Sequence, residues 1–219
     1  MADERYLTVT VPKHFATRRQ ARLSAKIGMI TFEWKVAAVS PAATAKLALA
    51  GFSVASRRMK NAVIYRCNSR PSMCLTVSAN GSVSGVGAKS VSECVLAYRS
   101  FLRCTQAEVV KPLEIKNVMA VMKLWTRRMD GATFHRLEDH FRRRGLGYRD
   151  ANHSASILLR LNQTQADMSV RRVAVVRLFA TGSAIVCKLA LPQDFPFVVT
   201  TLNTSLEAFF SLEKKCNFY

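Results

Sequence analysis

Two short patterns occur twice in this chain, and their order limits what it can fold into. Ala62-Val63-Ile64-Tyr65-Arg66 returns as Ser156-Ile157-Leu158-Leu159-Arg160, and Ala79-Asn80-Gly81-Ser82 returns as Ala180-Thr181-Gly182-Ser183. The period is about 95 residues, so the chain reads as two related halves. Each half runs strand, helix, several antiparallel strands, helix. An antiparallel meander packs one sheet face beneath its helices and leaves the other face for a different use.

Local signals place the elements. Residues 6–11 alternate like a short strand, residues 16–25 read as a helical stretch, and residues 29–36 are β-branched and aromatic enough for a strand. Ser40 and Pro41 open a helix that Gly51 closes. Residues 61–67 and 73–79 read as strands, and Asn80-Gly81 is a strong hairpin signal leading into a returning strand at 82–86. Residues 90–104 form a helix, with Ser90 and Glu93 as a capping box and Val91, Val95, Tyr98 and Leu102 as its apolar stripe.

In the second half, 115–124 is a strand. Residues 130–145 are a helix with Phe134, Leu137 and Phe141 inward and Arg142, Arg143 and Arg144 at its C-terminal end, where positive charge suits the dipole. That arginine cluster reads as a solvated helix end or as a seat for an acidic protein. Strands follow at 156–161 and 173–180, Thr181-Gly182 turns, 183–188 returns, and 195–212 is the closing helix. The division expected is a basic N-terminal arm at 1–26, a first repeat at 27–108 and a second at 109–219.

Charge says what the free sheet face meets. The 219 residues carry 33 Lys plus Arg against 14 Asp plus Glu, a formal charge of +19. A globule with that surplus repels itself unless polyanions surround it, which points to nucleic acid first and an anionic membrane second. Apolar residues make up 49% of the chain, which excludes collagen-like, low-complexity and wholly disordered classes. No apolar run is long enough to predict a spanning helix, and the acids near the N-terminus argue against a secretory signal. Six cysteines without a Cys-x-x-Cys and four scattered histidines predict neither a zinc site nor a disulfide framework. No Gly-x-Ser-x-Gly, phosphate-binding loop or paired carboxylates occur, so no enzyme activity, cofactor or small-molecule substrate is expected.

The repeat order, with Ala62-Val63-Ile64-Tyr65-Arg66, Gly81 and then Gly87-Ala88-Lys89-Ser90 before a helix, resembles the TATA-binding protein family. Ile115-Lys116-Asn117-Val118 is similar to that family's second-repeat opening strand. The resemblance spans roughly residues 27–212 and implies an α+β fold (the TATA-binding-protein fold). In it, two pseudo-symmetric repeats form a saddle-shaped curved antiparallel sheet, with helices on the convex face and duplex DNA on the concave one. It further implies a DNA-binding transcription initiation factor, with general transcription factors or RNA polymerase as further partners. Such a protein would be nuclear, or would reside in a viral replication compartment.

Carried over by position, the resemblance makes Arg66, Arg160 and Lys89 phosphate contacts and makes Asn117 a minor-groove reader. The family's wedge phenylalanines correspond to Lys60, Ser78, Ser154 and Phe179, of which Phe179 alone is a phenylalanine; Arg177 lies on the same side of its strand. By the same alternation Met73, Leu75 and Val77 face one side while Cys74, Thr76 and Ser78 face the other, with Ser82, Ser84 and Val86 also sharing a face. The first repeat should therefore present a small, polar surface. The second keeps Val175, Arg177, Phe179 and Ile185, so the two halves would grip DNA unequally. The alternative is a basic scaffold on the same fold, serving protein assembly or genome packaging without bending DNA. A single-strand binder ranks last, for want of a row of exposed aromatics.

Overall fold

The computed structural model describes residues 6–10, 22–59, 62–70, 72–125, 127–149, 156–164, 168–189 and 191–216. Chain order begins with β1 (Tyr6–Thr10) and β2 (Arg22–Val36), then α1 (Pro41–Ala45), which continues as a 3-10 turn at Lys46–Ala50. Next come β3 (Phe52–Met59), β4 (Ala62–Cys67), β5 (Cys74–Ser78), β6 (Ser82–Ala88) and α2 (Val91–Thr105). A second series follows: β7 (Val109–Lys123), α3 (Gly131–Arg143), β8 (Gly147–Arg149), β9 (Ser156–Thr164), β10 (Val170–Phe179), β11 (Ser183–Leu189) and α4 (Phe195–Cys216). From β2 to α2 and again from β7 to α4, the order is strand, helix, four strands, helix.

The described residues fall into two compact units, one within 27–117 and the other within 6–26 and 118–219. In the first, the strands lie in the order β3-β4-β5-β6-β2, every neighbour antiparallel. The core forms where alternation points one side of each strand under α2. Ile30, Phe32, Trp34 and Val36 alternate inward along β2, beside Leu75, Val77 and Val83. Trp34 meets Tyr98 and Phe101 of α2 edge-on, with ring centres 5.4 and 5.3 Å apart. Gly85 leaves the space that the Phe32 ring fills, since a Cβ there would lie 2.2 Å from it.

At the start of α2 the Ser90 hydroxyl accepts from the Glu93 N–H, and the Glu93 carboxylate reaches back one residue beyond the cap to accept from the Lys89 N–H. The buried stripe of this helix is Cys94, Ala97 and Phe101, with Tyr98 half-buried. The expected stripe is thus rotated, and Val91 is exposed. Both sets satisfy helical spacing, but small Cys94 and Ala97 let the helix approach Trp34, which the bulkier set would not.

In the second unit the order is β7-β11-β10-β9-β8, again antiparallel, and β1 pairs with β2 from Tyr6↔Lys26 to Thr10↔Arg22. Its core takes Val118, Ala120 and Met122 from β7, and Ala174, Val176 and Leu178 from β10. Leu137 and Phe141 of α3 and Leu202, Leu206 and Phe209 of α4 are buried with them. Each buried Val, Leu, Met or Phe among them contributes about 1.5–3 kcal/mol, and each Ala less. The Asp130 carboxylate caps α3 by accepting from the Thr133 N–H at 2.8 Å.

Several segments depart from the sequence reading; β7, for one, starts at Val109, ahead of the strand expected at 115–124. Residues 22–25, expected in a helix, are strand, because pairing with β1 overrides their helical propensity; residues 16–21 lie outside the described residues. Strands β3 and β8 were not expected: β3 lacks clean alternation and β8 has three residues, so each is defined by its partner, β4 or β9. Cys67, Cys74, Cys94, Cys104 and Cys187 are free thiols. Among the described residues, no helix is long and apolar enough to cross a membrane.

Candidate nucleic-acid interface

Successive strand side chains point to opposite faces, so the residues committed to the core define what each sheet's other face displays. In the first unit the registers align two rows across four strands. Ile64, Thr76, Ser84 and Glu33 form one row, and Arg66, Cys74, Val86 and Thr31 the other. Ser78 and Ser82 extend the same surface and are half-buried. Thr31, Cys74, Thr76, Ser78, Ser82 and Ser84 make this face mostly small and polar, with Ile64, Val86 and Glu33 among them. Arg66 is exposed on it.

Glu33 gives the face a feature of opposite sign to the chain. Its carboxylate is 2.9 Å from the Lys116 ammonium and 3.5 Å from that of Lys111. Both lysines also bind Glu114, at 2.8 and 2.6 Å. Hydrogen bonding to Lys116, with the Lys116 charge and the hydrogen bond and charge of Lys111, holds the Glu33 carboxyl below its usual range against the desolvation that opposes it. Lys111 and Lys116 take Glu114 down to about 2. Two acids and two bases cancel here, leaving a neutral cluster on an otherwise cationic protein.

The second unit displays a different surface. Leu158, Arg177, Ile185 and Val121 form one row across β9, β10, β11 and β7. Val175 and Phe179 flank Arg177 along β10, half-buried on the side opposite Ala174, Val176 and Leu178. Val121 is exposed, and Arg160, opposite Val175, is exposed as well. This is an apolar face carrying arginines. Phe179 also lines, with Met129, Phe134 and Ser156, a recess of about 620 Å³.

The expected site residues are distributed as follows. Arg66 lies on the first unit's face, and Arg160, Arg177 and Phe179 lie on the second's. Lys89 is half-buried and its ammonium donates to the Gly28 carbonyl, which ties this residue to the end of β2. Asn117 is half-buried on β7 between Lys116 and Val118. Lys60 and Ser154 lie outside the described residues, and Ser78 lies on the first unit's face. Sequence reading missed Glu33. The signal was present, since Phe32 and Trp34 bury and Glu33 must then point the other way; its lysine partners on β7 needed the structure.

No protein-family model matches this chain, and no curated protein matches its sequence. Among solved structures it is similar to Methanococcus jannaschii TBP, with 18% identity and a TM-score of 0.57 over 84% of this chain and 98% of that one. At that identity the likeness is one of fold. The α+β fold of the TATA-binding protein, expected from the repeat order, is thus the fold of this chain.

Proposed function

We propose that this protein binds duplex DNA through the open sheet faces of its two units, as a factor in transcription initiation. The observation that carries this reading is the second unit's face, where Val121, Val175, Phe179 and Ile185 stand with Arg160 and Arg177 on a surface the core does not use. Apolar side chains that wedge between base steps, with cations on the flanking phosphates, suit a minor groove, a mode for which the TATA-binding protein is itself the standard example. The net charge of +19 supplies the affinity. Phe179 is the wedge in this reading, Arg66, Arg160 and Arg177 hold phosphates, and Lys60, Lys89 and Asn117 are supporting contacts. Binding involves no catalysis, general transcription factors or RNA polymerase follow the protein to DNA, and the site of action is the nucleus or a viral replication compartment.

A second reading has support from the first unit. Its face is hydroxyl-rich, carries Glu33 and has serine at the wedge position 78, which favours a basic scaffold that holds polyanions without bending them. One experiment separates the two. The protein is titrated onto A·T-rich and G·C-rich duplexes carrying dyes at both ends, across roughly 50–300 mM salt, where counterion release governs affinity. The first reading expects an A·T preference with a shortened end-to-end distance, and Phe179→Ala removes the shortening. Equal, steeply salt-dependent binding with no shortening sinks it and leaves the scaffold.

A further inference from the structure

The two hairpins that join β5 to β6 and β10 to β11 share an arrangement involving a residue on a third strand. In the first unit Gly81, at φ 82°, donates its N–H to the Ser78 carbonyl, and its own carbonyl accepts from the Val36 N–H at 3.0 Å. In the second, Gly182, at φ 81°, donates to the Phe179 carbonyl and accepts from the Leu124 N–H at 2.8 Å. The residue preceding each of these donors is a lysine, Lys35 or Lys123. Each lysine sits directly opposite the serine that follows the hairpin glycine, Lys35↔Ser82 and Lys123↔Ser183. Both lysines are exposed on the open face of their sheet. Both turns require glycine, because a Cβ on Gly81 or Gly182 would strike the Val36 or Trp125 carbonyl at 2.0 or 2.1 Å.

Two positions earlier on the same strands and the same face, the halves have parted: Glu33 in one, Val121 in the other. The lysine and serine recur where their neighbours do not. In the second unit the geometry also shows what the pairing does. The Lys123 ammonium donates to the Thr181 carbonyl at 2.6 Å and to the Ser183 hydroxyl at 3.4 Å, which holds the charge over the turn instead of letting it sweep through solvent. An ammonium has three donors, so one remains for an incoming anion, and the serine hydroxyl can give its proton to the same anion.

We propose that Lys35 with Ser82, and Lys123 with Ser183, are phosphate anchors, one per unit, that grip the backbone of a bound duplex irrespective of its sequence. The assignment rests on the duplex-binding reading above. Lys123, held over its turn by two hydrogen bonds, is suited to this role, because phosphate contacts set register and affinity while base edges set specificity. Lys35 takes the equivalent place opposite Ser82.

The test compares the whole protein with Lys35→Met, Lys123→Met, the double variant and the matching lysine-to-arginine variants, each confirmed as folded by its melting curve. Each methionine variant is expected to flatten the slope of log affinity against log salt by about 0.9, and the double by about 1.8, with the A·T to G·C ratio unchanged. The arginine variants should keep the wild-type slope. A wild-type slope in the double methionine variant overturns the anchors alone. So does an arginine variant that loses as much slope as the methionine one, since the effect would then come from the turn and not from the charge. Wild-type protein that binds neither duplex overturns the duplex reading and the anchors with it.

Discussion

Glu33 shows how a single side chain can oppose the field of a whole molecule. Lys116 and Lys111 keep its carboxyl below the usual range, so it stays ionised throughout the working pH range and faces any phosphate that approaches the first unit. It also occupies two ammonium groups that would otherwise meet that phosphate. Glu33→Gln should therefore strengthen duplex binding and steepen the salt slope, by up to about 0.9 for each lysine released. A filter-binding series at several salt concentrations checks it, and an unchanged slope would show that Glu114 alone retains both lysines. Exposure limits any contribution of these pairs to stability, since surface ion pairs contribute little. Their effect belongs to binding.

At the level of helices and strands, the pairing of α3 with α4 carries a titration. The His140 ring lies 6.0 Å from that of Phe141 and 5.7 Å from that of Phe209, and its Nε2 is buried with no hydrogen-bond partner among the described residues. Burial, followed by the charges of Arg144 and Arg143, depresses its pKa below the ordinary 6.5, against a backbone hydrogen bond at Ser205. The unfolded chain then takes up the proton first as pH falls. Stability from the neutral ring is complete above the ordinary value and is lost as pH drops through the depressed one. Melting temperature should fall between about pH 7.5 and 5.5, the span that brackets a histidine titration, and His140→Phe should flatten that fall. A wild-type melting temperature level across the span would contradict the assignment.

The same level shows what the sequence made legible. Elements with their own start and stop signals were readable: α2 from Ser90 and Glu93, α3 from Asp130, and the hairpins from Asn80-Gly81 and Thr181-Gly182. Segments that exist because a neighbour pairs with them were not, as β3, β8 and the strand at 22–25 show. The α2 stripe was misplaced because spacing fixes a period but not a phase, and the phase was set by Trp34.

At the scale of the whole molecule, one fold supports two unlike surfaces. The polar face and the apolar face with its arginines follow from alternation, so their asymmetry was legible from the strands. The neutral cluster on the polar face was not, because it joins β2 to lysines on β7. The positions of individual contacts were less so. Lys89 carries the right charge in the expected motif, yet its ammonium is tied to the Gly28 carbonyl, and Lys35 and Lys123 acquire meaning only through a cross-strand register.

Each face also carries a chemical label of its own. Cys74 lies across from Arg66, and Cys187, whose pKa burial raises against the charge of Arg177, lies beside that arginine. Cys104, on α2, belongs to neither face and serves as an internal clock. Under maleimide at mildly alkaline pH, bound duplex should slow alkylation of Cys187 and Cys74 relative to Cys104, read peptide by peptide in a mass spectrometer. Protection of Cys187 alone would mean that the apolar face carries the nucleic acid, while equal rates with and without duplex would exclude both faces. The protein thus comes with a footprinting reagent's targets already installed, one on each surface to be mapped.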